Sequence, residues 1–480
     1  MSDAPIIVWF THDLRLSDHA ALTKAADTGR PLLPVYVLDD DAPGDWPMGG
    51  ASRWWLEQSL QSLASGIKDK GGRLLLRRGK TLDVLQELAE ETAAHGIYFS
   101  RNYAPWSAEL EKQLAGWCGN NGIECKRFAG YLLFDPDEIR TGSDTPYKVY
   151  TPFSKACFSK APTREPRVVP DGMNFWLGGI RSDDLGDWQL YDGKPDWASA
   201  FADRWTPGER GAHDKLDRFI SDAAQDYDDA RNRPDMFGTS RLSPHLHFGE
   251  ISPLQCWYAM RHAMDDGRRN IDKGGETFLK EILWREFSYH LVCNFENFMT
   301  EPFNEKFADF PWADDEAGLK AWQKGQTGYP IVDAGMRELW STGWMHNRVR
   351  MIVGSFLVKN LLIPWQKGEE WFWDCLVDAD IGANSASWQW IAGCGADAAP
   401  YFRIFNPVLQ GERYDPDGEY VRRWVPELKD MPKKFVHKPW EAPSNVLARA
   451  GVKLGETYPK PLMDHSKARD RALAAYQKIK

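Results

Sequence analysis

Several short runs between residues 227 and 415 combine hydroxyl, acidic, guanidinium and indole side chains at spacings that suit binding or catalysis. One such run, residues 238–243, carries three hydroxyls and one guanidinium directly before Pro244. Hydroxyls and backbone N–H groups at the start of a helix suit a phosphate or pyrophosphate. An ordinary helix N-cap accounts for the same residues, so both interpretations stay open at this point.

Two further segments each place polar and apolar groups on a single helix face, at spacings of three and four residues. The side chains are Glu281, Trp284 and Arg285 in one segment, and Asn347, Arg350 and Met351 in the other. A helical ion-pair face or ordinary core packing explains each segment as well as a functional site does.

A third cluster lies within residues 378–390 and contains two acids, an amide and two indoles. These are Asp378, Asp380, Asn384, Trp388 and Trp390. Burying so many polar groups in an apolar domain is unfavourable unless each finds a partner. The cluster therefore favours a functional site.

The elements that must position these groups follow from hydrophobic periodicity. The first part of the chain alternates apolar runs with helical patterns, and it predicts strands over residues 6–10, 32–38, 73–76 and 97–99. The intervening helices begin near Asp18, Ser52 and Ser107, and one is capped by Thr81. This alternation indicates a parallel sheet covered by helices on both faces. The dinucleotide signature GxGxxG is missing after the first strand.

The rest of the chain divides into two parts. Residues 134–204 are rich in Pro, Gly and Asp with weak periodicity, which is typical of a long connector. From His213 onward the pattern is helical almost throughout. We therefore predict an α/β domain over residues 1–133, a connector over 134–204 and a large all-helical domain over 205–480.

Composition excludes several classes of protein. The balance of 42% hydrophobic and 27% charged residues is that of a globular chain, and no run of about 20 apolar residues predicts a membrane span. Seven isolated cysteines without a CxxC pair indicate reduced thiols in a cytoplasmic protein. The histidines lack metal-ligand spacing, so no metal site is predicted. A net charge of −10 does not exclude nucleic acid, because binding depends on a local basic surface.

Longer runs resemble the photolyase/cryptochrome family. Residues 239–253 read TSRLSPHLHFGEISP, and residues 327–351 read TGYPIVDAGMRELWSTGWMHNRVRM. The LWREF, DAD…N…WQW and AAPYFRIFNP runs and the opening WFTHDLRLSDH are similar to the family as well. The resemblance spans most of residues 227–415. It implies a Rossmann-like α/β domain of the antenna type, joined to a helical domain that binds FAD.

Within this family the chain is most similar to bacterial enzymes that repair cyclobutane pyrimidine dimers. The resemblance implies a carbon–carbon lyase in which photoexcited, reduced FAD gives one electron to a dimer flipped out of UV-damaged DNA, acting as a monomer. Asn384 and Trp390 favour repair, since plant cryptochromes usually carry an acid and a tyrosine there. The alternatives are a cryptochrome-like blue-light sensor and a (6-4) photolyase, which would need a second histidine beside His346.

The resemblance also assigns residues to the cofactor. The ribityl and phosphate portion is assigned to Tyr227, Thr239, Ser240, Arg241, Leu242 and Ser243. Arg350 pairs with Asp378 beside the isoalloxazine, Asp380 faces the polar edge of the ring system, and Asn384 faces N5. A second, light-collecting chromophore, folate or deazaflavin, occurs in many relatives. It is left unassigned here, because Thr11 replaces the arginine that often follows the first strand.

The remaining assignments concern the dimer, the DNA and electron transfer. The dimer pocket is expected to be lined by Glu281, Trp284, Asn347, Met351 and Trp390, with Trp284, Asn347 and Trp390 also touching the DNA. Glu281 would hydrogen-bond or protonate the pyrimidine carbonyl edge. Contacts to DNA phosphates are assigned to Arg231, Arg285 and Arg348. The family's chain of three indoles corresponds to Trp388 nearest the flavin, then Trp365, then Trp312.

Overall fold

A computed structural model describes residues 4–191, 193, 196–266, 271–398 and 402–480. Its N-terminal region contains a five-stranded parallel sheet with the strand order β3-β2-β1-β4-β5. The strands are β1 (Ile6–Phe10), β2 (Leu32–Leu38), β3 (Leu75–Arg78), β4 (Gly96–Ser100) and β5 (Glu124–Phe128). Strands that follow each other in sequence are added on one side of β1 up to β3, and then on its other side from β4 onward. Between β1 and β4 the loops at the carboxyl ends of the strands therefore diverge and leave room for a ligand.

Helices cover both faces of this sheet, as the sequence predicts. They are α1 (Ala20–Ala26), α2 (Gly50–Asp69), α3 (Thr81–Glu91) and α4 (Ser107–Asn120). Alternate residues of β1 enter two different apolar cores, because side chains along a strand point to opposite faces. Val8 packs in the core that contains α1 and α2, and Ile7 in the core that contains α3 and α4.

Three details of the α/β region differ from the sequence prediction. β5 was not predicted, because its residues ECKRF are only partly buried at an edge of the sheet and lack an apolar pattern. β3 begins at Leu75, two residues later than predicted. Thr81 is the first helical residue of α3 rather than its cap, and its backbone N–H donates to the Asp39 carboxylate at 2.7 Å.

The rest of the described chain consists of helices joined by loops, the longest of them in the connector. The connector carries α5 (Tyr150–Lys160), and a π-helix spans Phe356–Leu361. The other helices are α6 (Glu209–Asp222), α7 (Tyr227–Ala230), α8 (Ser243–His247), α9 (Pro253–Asp265), α10 (Asp272–Asn294), α11 (Glu316–Gln323), α12 (Pro330–Thr342), α13 (Asn347–Ser355), α14 (Trp365–Cys375), α15 (Ile381–Ala392), α16 (Pro407–Tyr414), α17 (Glu419–Trp424), α18 (Ser444–Arg449) and α19 (His465–Gln477).

Two apolar cores organise the helical region. One surrounds α10, which packs against α5, α7, α9 and α15. The other contains residues of α12, α13, α14 and α15. Trp205 and Trp344 of the helical region pack into the sheet core beside Trp55 of α2, so the two regions share a continuous apolar contact. Among the described helices, none is long and apolar enough to cross a membrane.

Candidate functional site

The hydroxyl-rich run lies at the start of α8, as predicted. The position before this helix is held by Leu242, and no side-chain hydrogen bond caps it. The ordinary N-cap interpretation is therefore wrong for this run. Ser240 Oγ only accepts a long hydrogen bond, 3.4 Å, from the N–H of Leu242. Arg241 adopts a left-handed backbone with φ of 54°. N–H groups at a helix start that lack a side-chain cap suit an anionic ligand.

Trp344 joins this run to the acidic cluster, a role that the sequence analysis did not assign. Its indole Nε1 donates to Ser243 Oγ at 3.3 Å. The guanidinium of Arg241 lies 4.8 Å from the centre of the indole ring, and that of Arg350 lies 5.9 Å from it. Residues that are about a hundred positions apart in sequence therefore meet around one aromatic ring.

Arg350 and Asp378 form the predicted ion pair. Arg350 Nη2 donates to both carboxylate oxygens of Asp378, at 3.0 and 2.9 Å. Arg350 Nε donates to the carbonyl of Met345 at 2.8 Å, which fixes the guanidinium. Asp378 is buried, and a buried carboxylate needs a partner of this kind. The pair thus places a fixed polar group beside the indole of Trp344.

His346 provides a test of whether a large polar cofactor fits here. Its Nδ1 accepts the N–H of Arg348 at 3.2 Å, so Nε2 carries the hydrogen. Nε2 is buried and finds no partner among the described residues. Burial and the neighbouring guanidinium groups, Arg241 first among them, lower the pKa of His346 to about 3. A neutral, buried donor without a partner fits an acceptor group of FAD.

Asp380 caps α15 and has protein partners on both carboxylate oxygens. Oδ1 accepts the N–H of Ala383 at 2.9 Å, and Oδ2 accepts the hydroxyls of Tyr289 and Tyr131 at 2.8 and 3.2 Å. Burial alone would raise the pKa of Asp380, but the adjacent His247 ring, 3.6 Å away, and the charge of Arg285 hold it below its usual range. The assignment of this carboxylate to the polar edge of the flavin stays a prediction.

Asn384 is held by the backbone of Glu369, a buried acid that the sequence analysis missed. Its Nδ2 donates to the backbone carbonyl of Glu369 at 3.1 Å, and the neighbouring Ser385 Oγ donates to Glu369 Oε1 at 2.5 Å. Burial raises the pKa of Glu369 to about 8. Glu369 lies one turn after Trp365 in α14, and an acid on the apolar side of a helix was the signal that could have revealed it.

The first group of residues predicted to line the dimer pocket lies on α10 and its neighbours. Glu281 pairs with Arg231 at 2.8 Å, and burial nevertheless raises the pKa of Glu281 above its ordinary value. Trp284 stacks on Tyr150 with ring centres 3.6 Å apart and planes 6° apart. Trp284 as a whole residue is only half-buried. Tyr227 packs edge-on against Phe219 in the core beneath.

A second group of the residues predicted to line the pocket lies on α13 and α15. Asn347 is exposed, and Met351 and Trp390 are half-buried. Arg348 Nη2 donates to Asn232 Oδ1 at 2.5 Å, and its guanidinium lies 4.5 Å from the ring centre of Tyr414. These accessible side chains lie on helices that pack against each other and, through α15, against α10.

The prediction that Arg285 contacts DNA phosphates is wrong. Its side chain is only 10% exposed. Nη1 donates to the carbonyl of Tyr131 at 3.0 Å, and the guanidinium lies 4.3 Å from the Tyr131 ring centre. The charge of Arg285 acts on the buried Asp380 instead. A guanidinium turned inward in this way connects the α/β region to α10 and does not reach a phosphate backbone.

The three predicted electron-transfer tryptophans lie in and against one apolar core. Trp388 and Trp365 are buried, and Trp312 is half-buried at its edge. A Cβ on Gly368, in the first turn of α14, would lie 2.1 Å from Cη2 of Trp388, so this indole rests on the turn that begins with Trp365. The N–H of Ala313 donates to the carbonyl of Leu362 at 2.7 Å, which holds Trp312 beside the segment before Trp365.

A separate cavity of about 140 Å³ opens at the carboxyl ends of β1, β2 and β4. Its lining includes Thr11, His12, Asp39, Asn102 and Trp106, and on the helical side His247, Trp373 and Ala379. His12 and His247 face each other with ring centres 5.4 Å apart. Burial lowers the pKa of His12 to about 4. The unusual Thr11 thus lies at a cavity that periodicity alone did not reveal.

Comparison with known proteins agrees with this geometry. Residues 6–170 match the family described as DNA photolyase, and residues 278–478 match the FAD binding domain of DNA photolyase. Part of the predicted AAPYFRIFNP motif, residues 399–401, lies outside the described residues.

Individual proteins are similar over the whole chain. A deoxyribodipyrimidine photo-lyase of Agrobacterium fabrum is 49% identical over 480 residues, covering 100% of this chain and 99% of that protein. Cryptochrome-1 of Arabidopsis thaliana is 36% identical over 96% of this chain and 69% of its own length. The crystal structure of a bacterial class III photolyase from Agrobacterium tumefaciens superposes with a TM-score of 0.96 at 49% identity, covering 100% of this chain and 98% of that chain. The chain belongs to the photolyase/cryptochrome family.

Proposed function

We propose that this protein is a light-driven DNA photolyase that binds FAD and repairs cyclobutane pyrimidine dimers. The observation that carries the proposal is the arrangement around Trp344, where the run at the start of α8 meets the Arg350–Asp378 pair. When bound and reduced, FAD supplies the photoexcited electron that opens the cyclobutane ring. The protein's own residues bind the cofactor, hold the lesion and keep water out.

The cofactor would be held by groups from several helices. The start of α8, with Ser240, Arg241 and Ser243, supplies N–H groups, hydroxyls and one cation for the phosphates. His346 Nε2–H is a buried donor that awaits an acceptor. Asn384 presents an amide fixed by the Glu369 carbonyl, and an amide does not release a proton near neutral pH. We assign this amide to the region beside flavin N5.

The flipped dimer would lie between two half-buried tryptophans, Trp284 and Trp390. Base stacking on an aromatic side chain contributes about 1–3 kcal/mol per base, and a lesion that is poorly stacked in the duplex is easier to extrude. Glu281 has a raised pKa because of burial, so its carboxyl can hold a proton against a pyrimidine carbonyl as negative charge develops there. Arg231 keeps Glu281 in place.

DNA phosphates would be contacted by Arg231 and Arg348, both of which are half-buried and lie on the same side of the helical region. We propose that the protein acts as a monomer on DNA that bears a flipped dimer. All seven cysteines are free, which suits the reducing cytoplasm that we propose as its location.

A cryptochrome-like light sensor is the second candidate, supported by the 36% identity to Cryptochrome-1. Two residues favour repair over sensing. Asn384 is an amide where an acid would change the protonation of the site, and Trp390 supplies a flat apolar surface. The (6-4) photolyase alternative is disfavoured, because Asn347 and Met351 flank the pocket instead of a second histidine.

We also propose that the cavity at the sheet edge accepts part of an aromatic, light-collecting chromophore. Trp9, Trp46 and Trp106 line it with ring surfaces. Nδ1 of His247 is buried there, 3.6 Å from Oδ2 of Asp380. Aromatic walls with a few polar groups are usual for small-molecule sites. Absorbance in the purified protein beyond that of FAD, lost on substitution of Trp106, would support this assignment.

The deciding experiment combines the absorbance spectrum of the purified protein with light-dependent repair of an oligonucleotide containing one thymine dimer. We expect flavin absorbance and the disappearance of the dimer under blue light, with none in the dark. A protein that binds flavin yet leaves the dimer intact after chemical reduction and illumination would be a sensor rather than a repair enzyme.

A further inference from the structure

Lys215 of α6 is a cation that none of the assignments above uses. The residue is half-buried, and its ammonium lies 5.0 Å from the centre of a Trp205 ring. Trp205 packs edge-on against Trp344, with ring centres 6.4 Å apart. The guanidinium of Arg241 lies 4.8 Å from the ring centre of Trp344. One pair of indoles therefore supports two cations that come from separate parts of the chain.

The charges around these two cations are mostly of the same sign. Burial, together with the charges of Arg241 and Arg218, lowers the pKa of Lys215 to about 8. Arg204 and Arg423 act on Arg241 in the same way. Partly buried cations that repel each other are unfavourable unless an anion neutralises them. The surroundings of Lys215 therefore favour a negatively charged ligand.

The acidic side chain whose charge acts on Arg241 already has other partners. Glu338 is buried, and its Oε2 accepts the hydroxyl of Tyr420 at 2.7 Å and the N–H of His346 at 3.2 Å. Burial raises the pKa of Glu338 above its ordinary value, which weakens the residue as a counter-ion. The charges that act on Lys215 are both cationic. The protein itself thus leaves the two cations short of negative charge.

A buried donor lies beside the same cations. His346 Nε2 carries a hydrogen, is buried and finds no partner among the described residues. After burial, the charge of Arg241 has the largest effect on the pKa of this ring, so the two groups are neighbours. Two cations with a neutral N–H donor match an anion that has two charges and several acceptor oxygens. The diphosphate of FAD has this chemistry.

We propose that Lys215 binds the diphosphate of FAD together with Arg241, so that each cation neutralises one of its two negative charges. Lysine suits this role as a point charge, and arginine as a planar fork. The inference rests on FAD being the cofactor. It adds to the binding site a residue of α6, which lies outside the hydroxyl-rich run.

Two flavins that share the isoalloxazine separate charge pairing from ordinary packing, because riboflavin lacks the diphosphate. The test measures the affinity of the full chain, after removal of its flavin, for FAD and for riboflavin by flavin fluorescence. We expect Lys215→Met to weaken FAD binding by about tenfold and riboflavin binding by less than about twofold. Methionine keeps an apolar stem for packing on Trp205. Lys215→Gln should behave in the same way.

Lys215→Arg keeps the charge, so its affinity for FAD should stay within about threefold of the wild type. The matched control is Arg210→Met, which removes one positive charge from an exposed residue of the same helix. It should bind both flavins as the wild type does. Unchanged melting temperatures of the flavin-free variants exclude misfolding.

A second measurement uses the flavin-bound protein. Phosphorus NMR reports on the diphosphate of the bound FAD, and its signals should move in Lys215→Met but not in Arg210→Met. A residue that only supports the indoles would leave these signals in place. This readout does not depend on activity or on removal of the flavin.

Equal losses for FAD and riboflavin would overturn the proposal and leave Lys215 as a support for Trp205. Unchanged FAD affinity or unmoved phosphorus signals in Lys215→Met would also overturn it. Failure of FAD as the cofactor looks different. In that case the purified wild type would carry no flavin and would bind none that is added.

Discussion

The two sides of α15 carry the same type of side chain in opposite environments. Trp388 is buried and rests on the first turn of α14. Trp390, only two residues later, is half-buried and accessible. Two positions along an α-helix are separated by about 200° around its axis, so neighbouring indoles point in different directions. The local sequence WQW gives no hint of this difference.

The inner side of α15 packs against other protein groups, whereas the outer side keeps accessible surface. On the inner side Ser385 bonds to Glu369, and Trp388 is enclosed by Phe372 and Trp322. On the outer side Trp390 keeps accessible surface. The comparison teaches that substitutions on the inner side should alter processes within the protein, such as electron movement and stability. Substitutions on the outer side should alter the binding of DNA.

The largest effect is expected for the inner tryptophans. Trp365→Phe should abolish photoreduction of oxidised FAD with an external thiol donor, because phenylalanine does not replace indole as an electron carrier. Repair by chemically reduced protein should persist, and the substitution keeps most of the side-chain volume, so stability should change little. Trp257→Phe, in the core around α10, is the matched control. Normal photoreduction in Trp365→Phe would show that electrons do not reach the flavin through Trp365.

The next effect concerns the outer side. Trp390→Ala should weaken binding to dimer-containing DNA by roughly tenfold or more, since stacking contributes about 1–3 kcal/mol per base. Binding to undamaged DNA should change much less, because phosphate contacts dominate there. Salt-matched titrations with both DNAs measure the difference, and Trp390→Phe should retain most of the preference. Equal losses on the two DNAs would contradict the stacking role.

The smallest effect is a pH dependence that arises on the inner side. Burial raises the pKa of Glu369 to about 8, so between about pH 5 and pH 8 the folded protein keeps a proton that the unfolded chain releases. The free energy of unfolding therefore falls as the pH rises through this window. Glu369→Gln should reduce that fall, which would appear as a change of a few degrees in the pH dependence of the melting temperature.

The control for this prediction is Glu276→Gln, which alters an exposed acid of α10 that pairs with Lys280. It should leave the pH dependence of melting as in the wild type. If the melting temperatures of the wild type and of Glu369→Gln changed with pH in the same way, Glu369 would not keep its proton in the folded state. The inner side would then hold a buried carboxylate.

Sequence patterns predicted the α/β region in detail because its signals are local. An apolar run such as β1 followed by an amphipathic helix needs no distant residue to be recognised. The edge strand β5 escaped because its partly exposed side chains carry no apolar pattern. In the helical region, periodicity indicated which residues share a helix face, and Asn347 and Met351 do lie on one side of α13. The structure also joins Arg350 to Asp378 as expected.

What the sequence alone determined was the succession of elements, the residue types at the site and the family resemblance. Only the tertiary structure decided which helix faces meet solvent. Arg285 and Arg348 illustrate this, because both are arginines on helices that carry predicted site residues. Tyr131 of the α/β region covers Arg285 and turns it toward Asp380, whereas Arg348 stays beside Asn232 and Tyr414. Helical periodicity is a property of neighbouring residues, but the element that packs on a face comes from elsewhere in the chain.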